Sequence, residues 1–396
     1  MHGFRLLFLT AASLAVASHS PTFAQGPAFS TPGMAQSSSQ TTRFDNTYNP
    51  AIGLMFDVFA GYHIADDKNL DGFDASLRTG EVTLSAWVDP KAWAYGVVVF
   101  SDEGVDLEEG AVHYVGFEGN ETLRIGRFFV DFGKQMQAHE HALRTPNRPA
   151  VLREFLGNEL GGDGIEFDDW FTFGEDTIVR YSLGAFQSLQ PFAREDGPFA
   201  STPDRPEADQ LAFTGRLTGF SSLTDLSTLQ LGASVRYLPD YSFTDDTNAL
   251  EATGLENTVW GLDATWGWTD ETNTKSWTAG AELLVNDGAL SASVVEPVPS
   301  TFELAVLNDT AIGYYVFVDH AMDRFDSLGV QVSSVETAAA GLPRLDEYDL
   351  YYTHKLSEFQ RLRLALTSFE LGGNQDTRLG FQYTVFMGPH SHGVNF

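Results

Sequence analysis

The sequence contains no cysteine among its 396 residues. Disulfide bonds and thiolate metal sites are therefore excluded. Basic residues are also scarce, since 23 Lys and Arg against 54 Asp and Glu give a formal net charge of −31. A chain this acidic lacks the basic surface on which nucleic-acid binding depends, so we expect no nucleic-acid partner. Its 13% aromatic content, with 31 Phe, argues against an acidic disordered chain.

Long apolar runs are missing as well. The apolar segment 6–17 follows Arg5 and precedes the small-x-small tripeptide 22–24, which is the pattern of a secretory signal peptide. It is shorter than the run of about 18 residues that a membrane helix needs, and no such run follows. Any membrane-spanning part must then be a closed barrel of strands. We predict a signal peptide over 1–24, a flexible periplasmic leader over 25–48 and a folded part over 49–396.

An alternation of apolar and polar residues, the period of a β-strand, recurs along the chain. Residues 229–237 show it best, with Leu231 and Val235 on one face and Ser234 and Arg236 on the other. The polar positions are more often small or neutral than a soluble surface requires. We predict sixteen strands, near 51–64, 79–89, 92–101, 106–117, 120–131, 161–172, 175–188, 208–219, 227–238, 257–269, 274–286, 310–321, 324–336, 346–356, 359–371 and 374–387.

The connections between these strands alternate in length. Short turns near 89–91, 118–120, 173–175 and 270–273 alternate with longer gaps at 65–78, 132–160, 189–207, 239–256, 287–309 and 337–345. Outer-membrane barrels show this asymmetry, with short periplasmic turns and longer outer loops. A soluble β-sandwich is the alternative, but it rarely keeps one such register along a whole chain. We therefore predict an all-β fold, a transmembrane antiparallel β-barrel of about sixteen strands, in the outer membrane of a Gram-negative bacterium.

Aromatic residues favour the same interpretation. All seven Trp fall at or near predicted strand ends, where amphipathic rings favour a membrane interface. The chain ends in Phe396, the terminal aromatic residue that barrel-assembly machinery recognises in many outer-membrane proteins. Expected partners are thus outer-membrane lipid, this machinery and lipopolysaccharide. Acidic outer loops such as 239–256 would bridge to lipopolysaccharide through divalent ions, although solubility of an exposed loop is the simpler explanation.

Several motifs resemble those of a family of Gram-negative outer-membrane porins described as zinc-regulated, which is related to the phosphate-selective porins. The resemblance covers roughly the first half after the leader and the last twenty residues. It implies a passive pore, and it implies that the third outer loop folds inward and narrows that pore. The matching text includes Asn49 to Ile52, Leu84 to Pro90, Glu108-Glu109, Gly126-Arg127-Phe128, His139-Glu140-His141, Val151-Leu152, Phe155-Leu156-Gly157, Asp163-Gly164 and Gly388-Pro389-His390.

The gap 132–160 is the third outer loop if the strand count holds. From 124 to 154 the chain carries six basic and three acidic residues, whereas the remainder carries 17 basic and 51 acidic. Charged side chains set the selectivity of such a pore, so this basic island predicts the cationic flank of a constriction. An ordinary loop with salt bridges to acidic neighbours is the equal alternative. The candidate constriction residues are Arg124, Arg127, Lys134, Arg144, Arg148, Arg153 and Glu154.

Two patterns raise the question of metal ions. His139 and His141 form a His-x-His pair, which suits zinc, and His390 and His392 lie near the C-terminus. Histidines hydrogen-bonded to the backbone are the simpler alternative. Asp67, Asn69 and Asp71 match the first half of a calcium loop, but the position of the closing Glu is Arg78, so an ordinary turn competes with this reading. No other cofactor is expected.

No spacing singles out a nucleophile with a base, so we do not expect an enzyme. Sixteen strands leave room for water inside a barrel. The sequence predicts a passive channel for small hydrophilic solutes or ions, assembled as a homotrimer by analogy with sixteen-stranded porins. The alternatives are a zinc-binding or zinc-uptake protein and a structural or adhesion barrel without a pore. Ion selectivity stays open, because the acidic total and the basic loop have opposite effects.

Overall fold

A computed structural model describes residues 50–65, 71–102, 104–189, 198–203, 205–298, 301–339 and 341–388. Within these ranges the chain forms seventeen strands and two short helices. The expected signal peptide and leader lie outside the described residues, as do Asp67, Asn69, His390, His392 and Phe396.

The strands are β1 (Ala51–Ile64), β2 (Gly72–Asp89), β3 (Ala92–Ser101), β4 (Gly104–Tyr114), β5 (Thr122–Phe129), β6 (Gly161–Phe173), β7 (Thr177–Leu189), β8 (Phe199–Ser201), β9 (Ala212–Thr224), β10 (Ser227–Asp245), β11 (Leu250–Thr269), β12 (Ser276–Val298), β13 (Thr301–Ala321), β14 (Asp326–Glu336), β15 (Arg344–Ser357), β16 (Gln360–Leu371) and β17 (Asn374–Met387). The helices lie between β5 and β6. They are the 3₁₀ turn η1 (Glu140–Ala142) and the helix α1 (Ala150–Leu156).

Sixteen of these strands form a closed antiparallel barrel, which confirms the predicted fold class. Each pairs with the next along the chain, and β17 returns to β1 in a register that runs from Leu54↔Met387 to Ile64↔Thr377. The three-residue β8 pairs with the outer part of β10. Closure satisfies the backbone donors and acceptors of the edge strands, which is what lets strands cross a membrane. Within the described ranges, no helix is long and apolar enough to span a membrane.

Two outer gaps predicted as loops are strands instead. The segment 287–309 largely continues β12 and β13 as a hairpin, with Val294 opposite Leu304. The segment 239–256 extends β10 and β11 in the same way, with Tyr241 opposite Leu255. The acidic residues there had indicated loops. Cross-strand pairs of β-branched and aromatic residues stabilise the pairing of these strands beyond the apolar outer surface of the barrel. The polar residues there therefore do not mark the ends of the strands.

The burial pattern is the reverse of that in a soluble protein. On β10 and β11 the apolar residues face outward, and Leu231 and Leu262 are 53% and 60% exposed. The polar residues face inward, and Arg236 of β10 is fully buried, as is Asp57 of β1. This arrangement confirms the two faces predicted for 229–237. An apolar outer belt over a polar interior is the pattern of a transmembrane barrel.

Tryptophans collect at the end of the barrel that carries the short turns. Trp87 lies opposite Trp93 beside the β2–β3 turn, and Trp268 lies opposite Trp277 beside the β11–β12 turn. This matches an aromatic girdle at one membrane interface. The expectation was wrong for Trp260, which lies in the middle of β11 because that strand begins at Leu250 rather than near 257.

Candidate functional site inside the barrel

Residues 130–160, called the inserted loop below, connect β5 to β6 and fold into the barrel. The Gly133 N–H donates to Ser234 Oγ on β10 at 3.0 Å, and the Val151 N–H donates to Ser333 Oγ on β14 at 3.1 Å. Both serines are buried on inward faces, and their strands lie four positions apart around the barrel wall. The loop therefore crosses the interior, as the resemblance implied.

The first part of the loop is fixed by a charged network on β7 and β9. Asp131 Oδ2 accepts from Arg180 at 2.5 Å and from Ser182 Oγ at 2.9 Å, and Asp131 Oδ1 lies 3.5 Å from Arg216 Nε. Arg216 also pairs with Asp263 at 2.7 Å. Burial alone raises the pKa of Asp131, but Arg180 and Arg216 outweigh burial and the pKa is lowered. Asp131 is thus an anion held between two cations.

Gly133 and Lys134 carry the chain across to β10 and β12. Gly133 has a left-handed φ of 56°, and a side chain there would collide with the carboxylate of Glu282. The Lys134 N–H donates to Glu282 Oε2 at 3.3 Å, and its Nζ donates to Gln230 Oε1 at 3.0 Å. Glycine permits this close approach because it has no Cβ.

The middle of the loop contains two buried arginines with different partners. Arg144 forms an ion pair with Asp319 of β13, and its guanidinium lies 4.0 Å from the centre of the Phe317 ring. Arg148 donates instead to three carbonyls of its own loop, those of Gln135 at 2.7 Å, Ala138 at 2.6 Å and Asn158. Arg148 therefore shapes the loop, whereas Arg144 attaches it to the wall.

The helix α1 is the apolar part of the loop. Val151, Leu152 and Phe155 are fully buried and belong to one apolar cluster with wall residues such as Val335. Arg153 forms an ion pair with Glu347 of β15, whose other oxygen accepts from the Ala150 N–H at 3.2 Å. Apolar packing and this ion pair together fix the helix against β13, β14 and β15.

A cluster of two histidines and three glutamates lies where the loop meets β2 and β4. His139 Nδ1 is 2.8 Å from Glu108 Oε2 and 3.7 Å from Glu81 Oε2, and His139 Nε2 is 2.9 Å from Glu109 Oε1. His141 Nδ1 is 3.4 Å from Glu81 Oε2. All five side chains are at least nine-tenths buried.

The basic residues predicted for the constriction do not converge on one flank. Arg124 pairs with Glu166 at 2.6 Å in the wall, and Arg127 pairs with Asp163 at 2.9 Å while both remain partly exposed. The others contact β10, β12, β13, β15 or the loop itself, as described above, and Glu154 is partly buried on α1. Each cation has an acidic or carbonyl partner, which is the geometry of the salt-bridge alternative.

The structure places the residues of the two predicted metal sites differently. His139 and His141 come together, with ring centres 5.6 Å apart, beside glutamates that the sequence did not link to them. Of the calcium-loop residues the structure describes Asp71, whose Oδ1 accepts from the Ala65 N–H at 2.7 Å as in a turn. Arg78 pairs with Asp57 at 2.5 Å. The calcium site stays a prediction.

The predicted site left out the charged residues of the barrel wall itself. They alternate with outward apolar positions, as Arg361 and Arg363 alternate with Leu364 on β16. Strand periodicity alone was sufficient to find them. Inward-facing arginines outside the predicted constriction set include Arg78, Arg180, Arg216, Arg236, Arg361 and Arg363.

A closed sixteen-stranded barrel with an apolar outer belt, a charged interior and an inward-folded loop has the architecture of a porin. An uncharacterized protein of Aquifex aeolicus (strain VF5) is 24% identical over 362 residues, which cover 86% of this chain and 74% of that protein. No protein-family model matches the chain. Membership of the zinc-regulated family therefore stays a prediction.

Solved structures of porins share this fold. The anion-selective porin from Comamonas acidovorans matches with a TM-score of 0.55 and 10% identity, over 86% of this chain and 99% of that chain. The outer membrane channel DcaP of Acinetobacter baumannii matches with a TM-score of 0.54 and 12% identity, over 85% of this chain and 97% of that chain. At such low identity the likeness shows a common barrel fold.

Proposed function

We propose that this protein is a passive channel of the outer membrane, through which small hydrophilic solutes or ions diffuse. One observation carries the proposal. The closed barrel has a charged inner wall and an apolar outer belt, and the inserted loop crosses its interior. An outer belt of this kind suits lipid, and a loop across the lumen restricts what passes through it.

The charged interior favours a channel over a structural or adhesion barrel without a pore. Removing charges from water costs free energy that ion pairing only partly returns, and apolar packing often stabilises a closed core better. A barrel that only anchors or adheres has no need of residues such as Arg216, Asp263 and Arg363 on its inner wall. Charged groups inside the barrel that keep part of their surface exposed, such as Arg153 and Glu140 at 28% and 29%, are suited to contact water and ions in a hydrated passage.

Selectivity follows from the pairing of the loop cations. Since Arg144 and Arg153 are neutralised by Asp319 and Glu347, the loop presents ion pairs rather than a cationic ring. Paired charges produce a weaker field than isolated ones. We therefore propose a narrow passage that selects mainly by size, with weak ion preference.

We further propose where the barrel lies and which partners it contacts. The apolar belt lies in outer-membrane lipid, and the acidic outer hairpins approach lipopolysaccharide across divalent ions. Phe396 directs recognition by barrel-assembly machinery, and three copies associate as in other sixteen-stranded porins. Native mass measurement in detergent tests the trimer, and assembly of the Phe396→Ser variant tests the terminal signal.

Conductance in planar lipid bilayers tests the channel itself. We expect discrete, small single-channel steps from the folded protein and retention of solutes above a narrow size limit in liposome-swelling assays. Folding is checked beforehand by the heat-dependent gel shift of β-barrels. Folded protein that inserts without producing steps would instead support a structural or adhesion barrel.

A further inference from the structure

We propose that Glu81, Glu108 and His139, with His141 beside them, bind one divalent cation of the zinc class, which fastens the inserted loop to the barrel wall. Glu81 lies on β2 and Glu108 on β4, and the two histidines lie on the loop. Such an ion connects three chain segments that are far apart in sequence. The proposal is separate from the proposed function, because a closed barrel with an inserted loop can conduct whether or not the ion is bound.

The spacing of the donor atoms fits a tetrahedral ion. One donor atom each from Glu81, Glu108 and His139 lies within 4.8 Å of the others. Ligands about 2.0–2.1 Å from a tetrahedral zinc ion lie roughly 3.3 Å from one another. The separations of 2.8 and 3.7 Å between His139 Nδ1 and the two carboxylates fall on either side of this value. The 3.4 Å between His141 Nδ1 and Glu81 Oε2 places a second imidazole beside these three donors.

Glu109 orients the central imidazole for this role. Its Oε1 lies 2.9 Å from His139 Nε2, while its Oε2 accepts from the Tyr95 hydroxyl at 2.7 Å and from the Phe129 N–H at 3.2 Å. A neutral imidazole carries one N–H, and donation of that N–H to Glu109 leaves the Nδ1 lone pair directed at Glu108 and Glu81. A carboxylate behind a ligating histidine is the usual arrangement in zinc sites.

A β-bulge places Glu108 and Glu109 on the same side of β4. Val97 pairs with Glu109 and Val98 pairs with Leu107, so Glu108 is an extra residue in the register. Adjacent strand residues normally face opposite sides, and a bulge re-aims one of them. Here it brings one carboxylate into the ligand set and the next one into hydrogen-bonding range of the imidazole.

The charge of the cluster favours a dication. Three carboxylates with at most 10% of their side-chain surface exposed surround one imidazole, and a second imidazole lies alongside. Burying carboxylates without counter-charge is costly. One proton on His139 offsets part of this charge, and a divalent ion offsets more. Mixed imidazole and carboxylate donors suit zinc, whereas calcium and magnesium take oxygen donors.

Zinc content and zinc coordination test the site. The folded full-length protein is dialysed against zinc, freed of loose metal and measured by mass spectrometry and by X-ray absorption at the zinc edge. We expect about one zinc per chain with nitrogen and oxygen neighbours near 2.0 Å. A tenfold excess of calcium or magnesium should not displace it. Wild-type protein that retains no zinc, or that shows only oxygen neighbours, overturns the proposal.

Substitutions at the proposed ligands test where in the protein the zinc binds. His139→Gln and Glu108→Gln should each abolish retention, and Glu109→Gln should weaken affinity by about 10- to 100-fold, as expected when the partner behind a ligating histidine is lost. His354→Gln is the matched control, because His354 also pairs with a carboxylate, Asp326 at 2.7 Å, but near a turn. The double variant His390→Ala/His392→Ala controls for the C-terminal histidines.

Each variant is checked for folding by the heat-dependent gel shift. If His139→Gln folds and retains as much zinc as the wild type, the proposal is wrong. If Glu108→Gln fails to fold, the zinc-edge absorption spectrum of the wild-type protein and zinc retention by His139→Gln still test the proposal. Single-channel steps from zinc-free protein would support the channel whatever the zinc measurements show, and zinc binding by protein that does not conduct would support the site alone, so the two proposals fail separately.

Discussion

Arg144 of the inserted loop is ion-paired with Asp319 of β13, a residue 175 positions further along the chain. The pair attaches the middle of the loop to one side of the wall, while Asp131 attaches its beginning to Arg180 on β7. The basic island in the sequence is thus used to fasten the loop, and the acidic excess of the wall supplies its partners.

Removing Asp319 should change ion preference. Asp319→Asn leaves the Arg144 guanidinium without its anionic partner inside the barrel, so the passage gains positive potential. We expect the reversal potential under a tenfold salt gradient to shift toward anions. Asp270→Asn, in the exposed turn between β11 and β12, is the control and should leave it unchanged. Identical reversal potentials for all three proteins would place Arg144 away from the ion path.

The packing of α1 should decide how far the loop narrows the lumen. Phe155 is fully buried, and Phe155→Ala should cost about 3–5 kcal/mol of packing free energy. We expect a lower midpoint of thermal unfolding, together with larger or noisier conductance steps as the loop loosens. Leu231→Ala, on the outward face of β10, should keep the wild-type step size. Unchanged steps in Phe155→Ala would mean that α1 does not restrict the passage.

The position of the apolar outer belt in lipid can be tested by introducing one charged side chain. Leu262 is 60% exposed on the outward face of β11, and Leu262→Arg should destabilise the barrel in lipid by about 2–4 kcal/mol. Thr253→Arg, nearer the outer end of the same strand, should cost little. Urea unfolding in lipid vesicles measures both. Equal stability of the two variants would contradict a membrane position for this belt.

Lys134 should make the channel respond to pH. Burial, with the nearby Arg144, lowers the pKa of Lys134 to about 8. Between this value and the normal lysine pKa the unfolded chain binds the extra proton, so stability rises with pH in that window. Loss of the Lys134 charge above pH 8 should also shift the reversal potential toward cations. Lys134→Arg keeps its charge and should lack this step. If the reversal potential of the wild type changes with pH as that of Lys134→Arg does, Lys134 is not the group that titrates.

The sequence predicted the barrel because a two-residue period depends only on neighbouring residues. It also located the inserted loop, since a long gap after the fifth strand needs no tertiary information. Strand ends at the outer hairpins were misplaced because pairing, rather than polarity, extends β10 to β13. Trp260 was misplaced for the same reason.

The internal partners could not be read from the sequence. Whether Arg153 meets Glu347, or His139 meets Glu81, depends on the register of strands far apart in the chain and on the path of the loop. The alternation of apolar and polar residues also does not predict the β-bulge that turns Glu108 inward. Hence charge counting indicated a cationic island and left salt bridges to acidic neighbours as an equal alternative, but it did not indicate which acidic residue would pair with each cation.

In the proposed channel, the inserted loop lines the conducting passage. Because the chain has no native cysteine, a single introduced cysteine reports on one position alone. We predict that an anionic methanethiosulfonate reagent will reduce the single-channel conductance of Lys134→Cys in a planar bilayer. The same reagent should leave Leu231→Cys, on the outward face, unchanged. Conductance of Lys134→Cys that is unaffected after labelling has been confirmed by mass spectrometry would contradict the claim.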